Sequence, residues 1–213
     1  MKRLNFILVS LVAFLLLAVA RAEQNKLSWE TNFATASWRP AQAQEGRVRG
    51  ELPEGWFDDT SWCHTWTDYS HETFQGSDFL HIVIKRIEDG RHQLALRDFD
   101  TASRGGAIYR LRLKLRGTSG HIVNCGLRIN RSPWTFLWSK DITLTSEWQE
   151  IDLPIRAAAS EEIPIGFYLT SLTPGVIDLG RFELEKISES SAVAGLKQRY
   201  PDGGPANLMR NTV

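Results

Sequence analysis

Several things are scarce in this chain of 213 residues, and each scarcity removes a class of protein. It has two cysteines, Cys63 and Cys125, so it is not a small scaffold held by several disulfides. The C-x2-C and H-x-x-x-H spacings of metal sites are absent, and no metal ligand set is expected. No G-x-S-x-G nucleophile elbow occurs. The histidines His64, His71, His81, His92 and His121 are dispersed. Carboxylates stand side by side at Asp58-Asp59 and Glu161-Glu162, but consecutive strand residues face opposite sides, so neither pair forms an acid/base dyad. No catalytic residue is therefore assigned. Charge of one sign is not in excess, with 25 basic and 25 acidic residues, which argues against a nucleic-acid partner. Helical periodicity of useful length is missing as well.

What is present begins at the N-terminus. Lys2 and Arg3 precede an apolar run over 6–20, broken by Ser10, which ends in the small-x-small pattern Ala20-Arg21-Ala22. This reads as a signal peptide over 1–22, cleaved before Glu23. The run is about 15 residues, short of the ~20 that span a bilayer. No later apolar run approaches that length, so no membrane partner is expected after cleavage. Loss of Lys2, Arg3 and Arg21 leaves a mild acidic excess. Export to the cell surface, periplasm or medium makes a Cys63–Cys125 disulfide permissible. A buried free thiol at Cys125 is equally ordinary, and both readings stay open.

The dominant period of the mature chain is two. Tyr109, Leu111, Leu113 and Leu115 alternate with Arg110, Arg112, Lys114 and Arg116, the pattern of a half-buried strand. Residues 79–87 and 91–99 read as two strands of a hairpin turned at Glu88-Asp89-Gly90, which would set His81 facing His92. Val123, Cys125, Leu127 and Ile129 share one side of a strand over 121–130. Further strands are expected over 134–139, 148–155, 163–169 and 176–187, with Gly180 a bulge or bend. Many short strands joined by Gly, Pro, Asp and Ser give an all-β fold, a sandwich or barrel over 23–187. From Ser188 the composition changes to linker type, with Pro201-Asp202-Gly203-Gly204-Pro205; residues 188–213 read as a linker or tail.

The order of motifs resembles a known family. Gly55-Trp56 with Asp59-Thr60-Ser61-Trp62, then Gly76-Ser77-Asp78-Phe79-Leu80-His81-Ile82, then Gly106-Ala107-Ile108-Tyr109-Arg110-Leu111, follow one another. Thr145-Ser146-Glu147-Trp148-Gln149-Glu150-Ile151 and Gly175-Val176-Ile177-Asp178-Leu179-Gly180-Arg181-Phe182-Glu183-Leu184 complete the series. Together, over residues 27–187, they are similar to carbohydrate-binding modules of the family 4/9/22 type. The resemblance implies a galactose-binding-like jelly roll, a β-sandwich of two antiparallel sheets without catalytic residues, commonly joined to a glycoside hydrolase. Ala206-Asn207-Leu208-Met209-Arg210-Asn211 resembles the opening strand of another such module. In the family an early N-x-G-x-F-E motif supplies a glutamate to structural calcium. Here it is Thr31-Asn32-Phe33-Ala34-Thr35, so that ligand is missing; structural calcium stays an open alternative, and no other cofactor is implied.

Sugar binding needs aromatic rings against the apolar face of a pyranose and polar groups for its hydroxyls. Eight tryptophans are a rich supply. Trp56 and Trp148 fall in the fold motifs and are expected in the core. Trp62, Trp66 and Tyr69 cluster, as a ligand platform or as packing. Trp134 and Trp138 are expected on one strand face with Phe136, again as binding residues or as core. Arg112, within the basic stripe, and Arg128, beside Asn124 and Asn130, are the polar candidates for a sugar groove that would suit an anionic glycan; the alternative is a solvated face of paired charges. The expected function is a non-catalytic module that tethers to a polysaccharide or oligosaccharide, alone or in front of a catalytic domain. The rivals are a structural or adhesive jelly roll with a protein partner and, third, a free-standing hydrolase or lyase.

Overall fold

The computed structural model describes residues 28–41, 46–102 and 106–187. The expected signal peptide over 1–22 and the tail over 188–213 lie outside the described residues. The described strands, in chain order, are β1 (Ser28–Thr31), β2 (Trp38–Pro40), β3 (Val48–Pro53), β4 (Trp56–Asp58), β5 (Thr65–Phe74), β6 (Ser77–Ile87) and β7 (His92–Ala102). They continue with β8 (Ala107–Gly117), β9 (Ile122–Ile129), β10 (Phe136–Thr143), β11 (Gln149–Ala157), β12 (Ile163–Ser171) and β13 (Gly175–Ile187).

The strands form two stacked sheets. The eight-stranded sheet runs β11-β8-β13-β6-β5-β3-β2, with β1 also on β13; the five-stranded sheet runs β10-β9-β12-β7-β4. All pairs are antiparallel except β3 with β5. From β6 onward the chain passes repeatedly from one sheet to the other, and this crossing makes the sandwich a jelly roll. The cause lies in the alternation. In β8, Tyr109, Leu111, Leu113 and Leu115 are buried while the intervening Arg110, Arg112, Lys114 and Arg116 face out. In β9, Val123, Cys125, Leu127 and Ile129 are buried. Each strand brings one apolar face, and stacking the two sheets hides both. Trp56 anchors the core, edge-on to Phe167 and Phe182 at 6.1 and 5.1 Å between ring centroids. Its indole N–H donates to Thr31 Oγ1 at 2.8 Å. Where β3 runs beside β5, Gly50 has φ +90°, and a Cβ there would lie 1.7 Å from the Tyr69 carbonyl oxygen; no other residue fits.

Two expectations are corrected, and one open alternative is decided. The hairpin over 79–99 does not form. β6 pairs with β5 and β13, and β7 pairs with β12 and β4 in the other sheet. The turn at Glu88-Asp89-Gly90 is a corner between sheets, so His81 and His92 do not face each other across a hairpin. Trp148 is half-buried rather than in the core. It lies on the outer face of the eight-stranded sheet beside Phe79 (5.6 Å), with Arg116 and Lys114 over its ring. It sits against Gly180, where the register of β13 on β8 shifts between Leu179 and Arg181. Gly180 is thus the bulge that the sequence suggests. Finally, Cys63 and Cys125 are both free and buried. Cys125 points into the core from β9, whereas the Cys63 thiol donates to the Arg91 carbonyl at 3.2 Å.

Candidate functional site

The segment after β4 carries the first wall of the site. Asp58 points inward and organises it. Its carboxylate accepts the Thr60 N–H at 3.0 Å, the Thr60 hydroxyl, and the Tyr69 hydroxyl at 2.6 Å. Burial raises the Tyr69 phenol well above its usual range, so it remains a neutral donor. Its one hydrogen is committed to Asp58. His92 Nε2, 2.9 Å away, must therefore be the protonated nitrogen that donates to the Tyr69 oxygen. With Asp58 fixed, the backbone turns so that Asp59 faces the opposite side and Trp62 stands on the surface. The Trp62 indole N–H donates to the Asp59 carbonyl at 2.8 Å.

Asp59 is the hub of the outer face of the five-stranded sheet. Its carboxylate accepts Gln93 Nε2 at 2.6 Å, pairs with Arg97, and accepts Arg128 Nη2 at 3.2 Å. Gln93 and Arg97 come from β7, and Arg128 from β9. The Arg128 guanidinium lies 3.7 Å over the Tyr168 ring, 5.4 Å from the Trp134 ring and 5.9 Å from Phe136. Gly126 leaves room for this arrangement, because a Cβ there would come within 2.5 Å of the Phe136 ring. The Tyr168 hydroxyl donates to Asn130 Oδ1 at 2.7 Å, and Asn130 Nδ2 donates to Asp98 Oδ1 at 2.7 Å. Burial raises the Tyr168 phenol, and the Arg128 cation partly opposes this. Above the buried Tyr168, the Asp59 hub with Arg128, Asn130 and Asp98 lines a cleft of about 860 Å³ that also includes Ser61, Arg91 and both indoles. Its two indoles are exposed, Trp62 by 54% and Trp134 by 50%.

Trp62, Arg128 and Trp134 thus come together, although they are distant in the chain. The other sequence candidates lie elsewhere. Trp66 is on β5, covered by the Arg86 guanidinium 3.6 Å above its ring. Tyr69 is buried in the Asp58–His92 network. Trp138 does not share a face with Phe136. Phe136 pairs with Arg128 and Trp138 with Leu127, because β10 bulges between them; Trp138 and Leu137 then pack against the core. Trp134 is not on a strand but in the loop before β10, at φ +59°. Arg112 lies on the other sheet, where it pairs with Glu183 and, at 3.4 Å, with Glu185. Its neighbours are matched too: Arg110 binds Asp152 through two bonds of 2.9 and 2.7 Å, and Arg116 binds Asp178 at 2.7 Å. The three arginines of the basic stripe are paired with acids, and Lys114 lies over the Trp148 ring. Asp59 stands in the motif with Trp62 but without a role that the sequence assigns, and Arg91, Gln93, Arg97 and Asp98 have no distinguishing sequence pattern; the pairing of β7 with β12 and β4 sets them beside Arg128.

Among the described residues no group of three or more His, Cys, Asp or Glu side chains is placed to hold a metal ion.

The buried network carries a pH signature. Burial holds His92 down to about 4, from an ordinary value of 6.5. The unfolded chain takes up this proton first, so the folded state has its full stability above pH 6.5. It loses that contribution as the pH falls towards 4, by about 3 kcal/mol in all. Thermal midpoints measured between pH 7 and 4 are expected to fall, and to fall less steeply in His92→Gln.

Neither a family model nor a curated protein sequence matches this chain. Among solved structures it is similar to a CBM4 carbohydrate-binding module, at 16% identity over 70% of this chain and 95% of that one, with a TM-score of 0.49. It is also similar to the CBM22-1 xylan-binding domain of Paenibacillus barcinonensis Xyn10C, at 9% identity over 75% and 94% of the two chains, with a TM-score of 0.48. A third is the N-terminal cellulose-binding domain of β-1,4-glucanase C from Cellulomonas fimi, at 19% identity over 65% and 92%, with a TM-score of 0.44.

Proposed function

We propose that the outer face of the five-stranded sheet binds a glycan chain without cleaving it. The observation that carries this is two half-exposed indoles, Trp62 and Trp134, on one cleft whose remaining lining is rich in planar polar groups. Indole faces suit the C–H side of a pyranose, and guanidinium, amide and carboxylate groups suit its hydroxyls. The one buried carboxylate of the cleft, Asp59, is held by three donors. That makes it an anchor for the sheet face rather than a proton shuttle. In this reading the chain is exported by its N-terminal segment and acts as a tether. It concentrates a catalytic domain, linked through the tail over 188–213, on a polysaccharide.

Affinity electrophoresis through gels containing soluble polysaccharides tests the reading. At least one polymer should retard the protein, and no reducing sugar should be released from it. Arg112→Ala, on the opposite sheet, is expected to leave the retardation unchanged. If every polymer leaves the mobility as it is in an empty gel, the reading fails.

A further inference from the structure

The cleft holds more cationic groups than its own acids can match. Arg91, Arg97 and Arg128 line it, against Asp59 and Asp98. Asp59 is committed to Arg97 and Arg128, and Asp98 accepts Asn130 at 2.7 Å. Arg91 ends the corner between β6 and β7, and the acids of that corner are engaged elsewhere. Glu88 pairs with Arg86 at 3.2 Å. Asp89 pairs with His64 Nδ1 at 2.6 Å and also accepts the His64 backbone N–H at 2.7 Å. The Arg91 guanidinium is exposed and has no protein partner among the described residues. Its backbone is nonetheless fixed, because the carbonyl takes the Cys63 thiol at 3.2 Å, one residue along from Trp62.

A ligand seated beside Trp62 would strip water from this guanidinium. Removing solvent from an unpaired cation is costly, whereas an anion that forms two parallel hydrogen bonds with its planar fork offsets that cost. From this we infer that the glycan carries an oxyanion, either the carboxylate of a hexuronate or a sulfate ester, and that Arg91 reads it at the Trp62 end of the cleft. The inference rests on the glycan reading above and adds the class of sugar.

The test compares matched polymers. Polygalacturonate and glucuronoxylan are run in affinity gels before and after chemical reduction of their carboxyl groups, with a carrageenan as the sulfated arm and a mixed-linkage β-glucan as the neutral one. Wild type is expected to be retarded by at least one anionic polymer and less by its reduced or neutral counterpart. A carboxylate ligand shows in the first two gels and a sulfate ligand in the third. Arg91→Gln should weaken binding to the anionic polymer about tenfold, Arg91→Lys should restore part of it, and Arg112→Gln should change nothing. Equal retardation by charged and neutral polymers, or an unaltered Arg91→Gln variant, overturns the inference while leaving the glycan reading standing. Absence of retardation by every polymer, or retardation that survives loss of both Trp62 and Trp134, overturns both.

Discussion

Asp59→Ala is expected to lower stability by about 3 kcal/mol and to abolish ligand binding together with it. Removing this carboxylate strands Arg128, whose side chain is only 11% exposed, and leaves Gln93 and Arg97 without their shared acceptor. Breaking a buried pair from one side costs about 3–5 kcal/mol; the half-exposed Arg97 places the effect at the lower end. In a domain of this size that corresponds to a thermal midpoint lower by roughly 6–12 °C. Asp59→Asn keeps an acceptor oxygen and should lose less. Thermal melts of the three proteins at pH 7 check the order: wild type, Asn, Ala. A melt of Asp59→Ala that overlays wild type would mean that the carboxylate does not anchor the sheet face.

The second large effect concerns ligand alone. A Trp62→Ala, Trp134→Ala double variant is expected to fold normally and to lose about 100-fold in affinity. Each exposed indole can cover roughly 50–100 Å² of sugar surface, worth about 1.5 kcal/mol at ~25 cal/mol per Å². Two such losses amount to about two powers of ten. Neither ring is in the core, and surface substitutions of this kind change stability by about 0.5 kcal/mol or less. Trp66→Ala, beneath Arg86, should bind as wild type does. Gel retardation at graded polymer concentrations, with circular dichroism as the folding control, separates these outcomes. A double variant that binds unchanged removes the cleft from consideration.

The two-sheet architecture could be read from alternation, because burying one face of β8 and β9 is a local requirement that each strand states for itself. Which sheet a strand joins is not local. β6 and β7 each have an apolar face that a hairpin would satisfy as well as the corner does, and nothing in Glu88-Asp89-Gly90 distinguishes the two. Trp138 was misplaced because one extra residue in β10, around Leu137, reverses the facing of everything after it. Arg112 and Arg128 look alike as outward basic residues. What separates them is long-range register: Glu183 and Glu185 lie beside Arg112, whereas Tyr168 and a single shared carboxylate lie beside Arg128. Trp62 is legible as an aromatic ring among small and polar residues, whereas the pattern around Trp134 suggests a strand and conceals the loop that exposes it. Their convergence required the fold.

The cleft divides into a floor welded to the sandwich and two walls that hang from loops. On the proposed reading Arg128 and Asp59 would serve folding and recognition at once, so changes there would be filtered for viability before selectivity could alter. Trp62, Trp134 and Arg91 carry little of the architecture, and their replacement would leave the sandwich intact. Descendants of this chain could therefore drift from one sugar to another by exchanging those three side chains over an invariant base, and a designer could follow the same route.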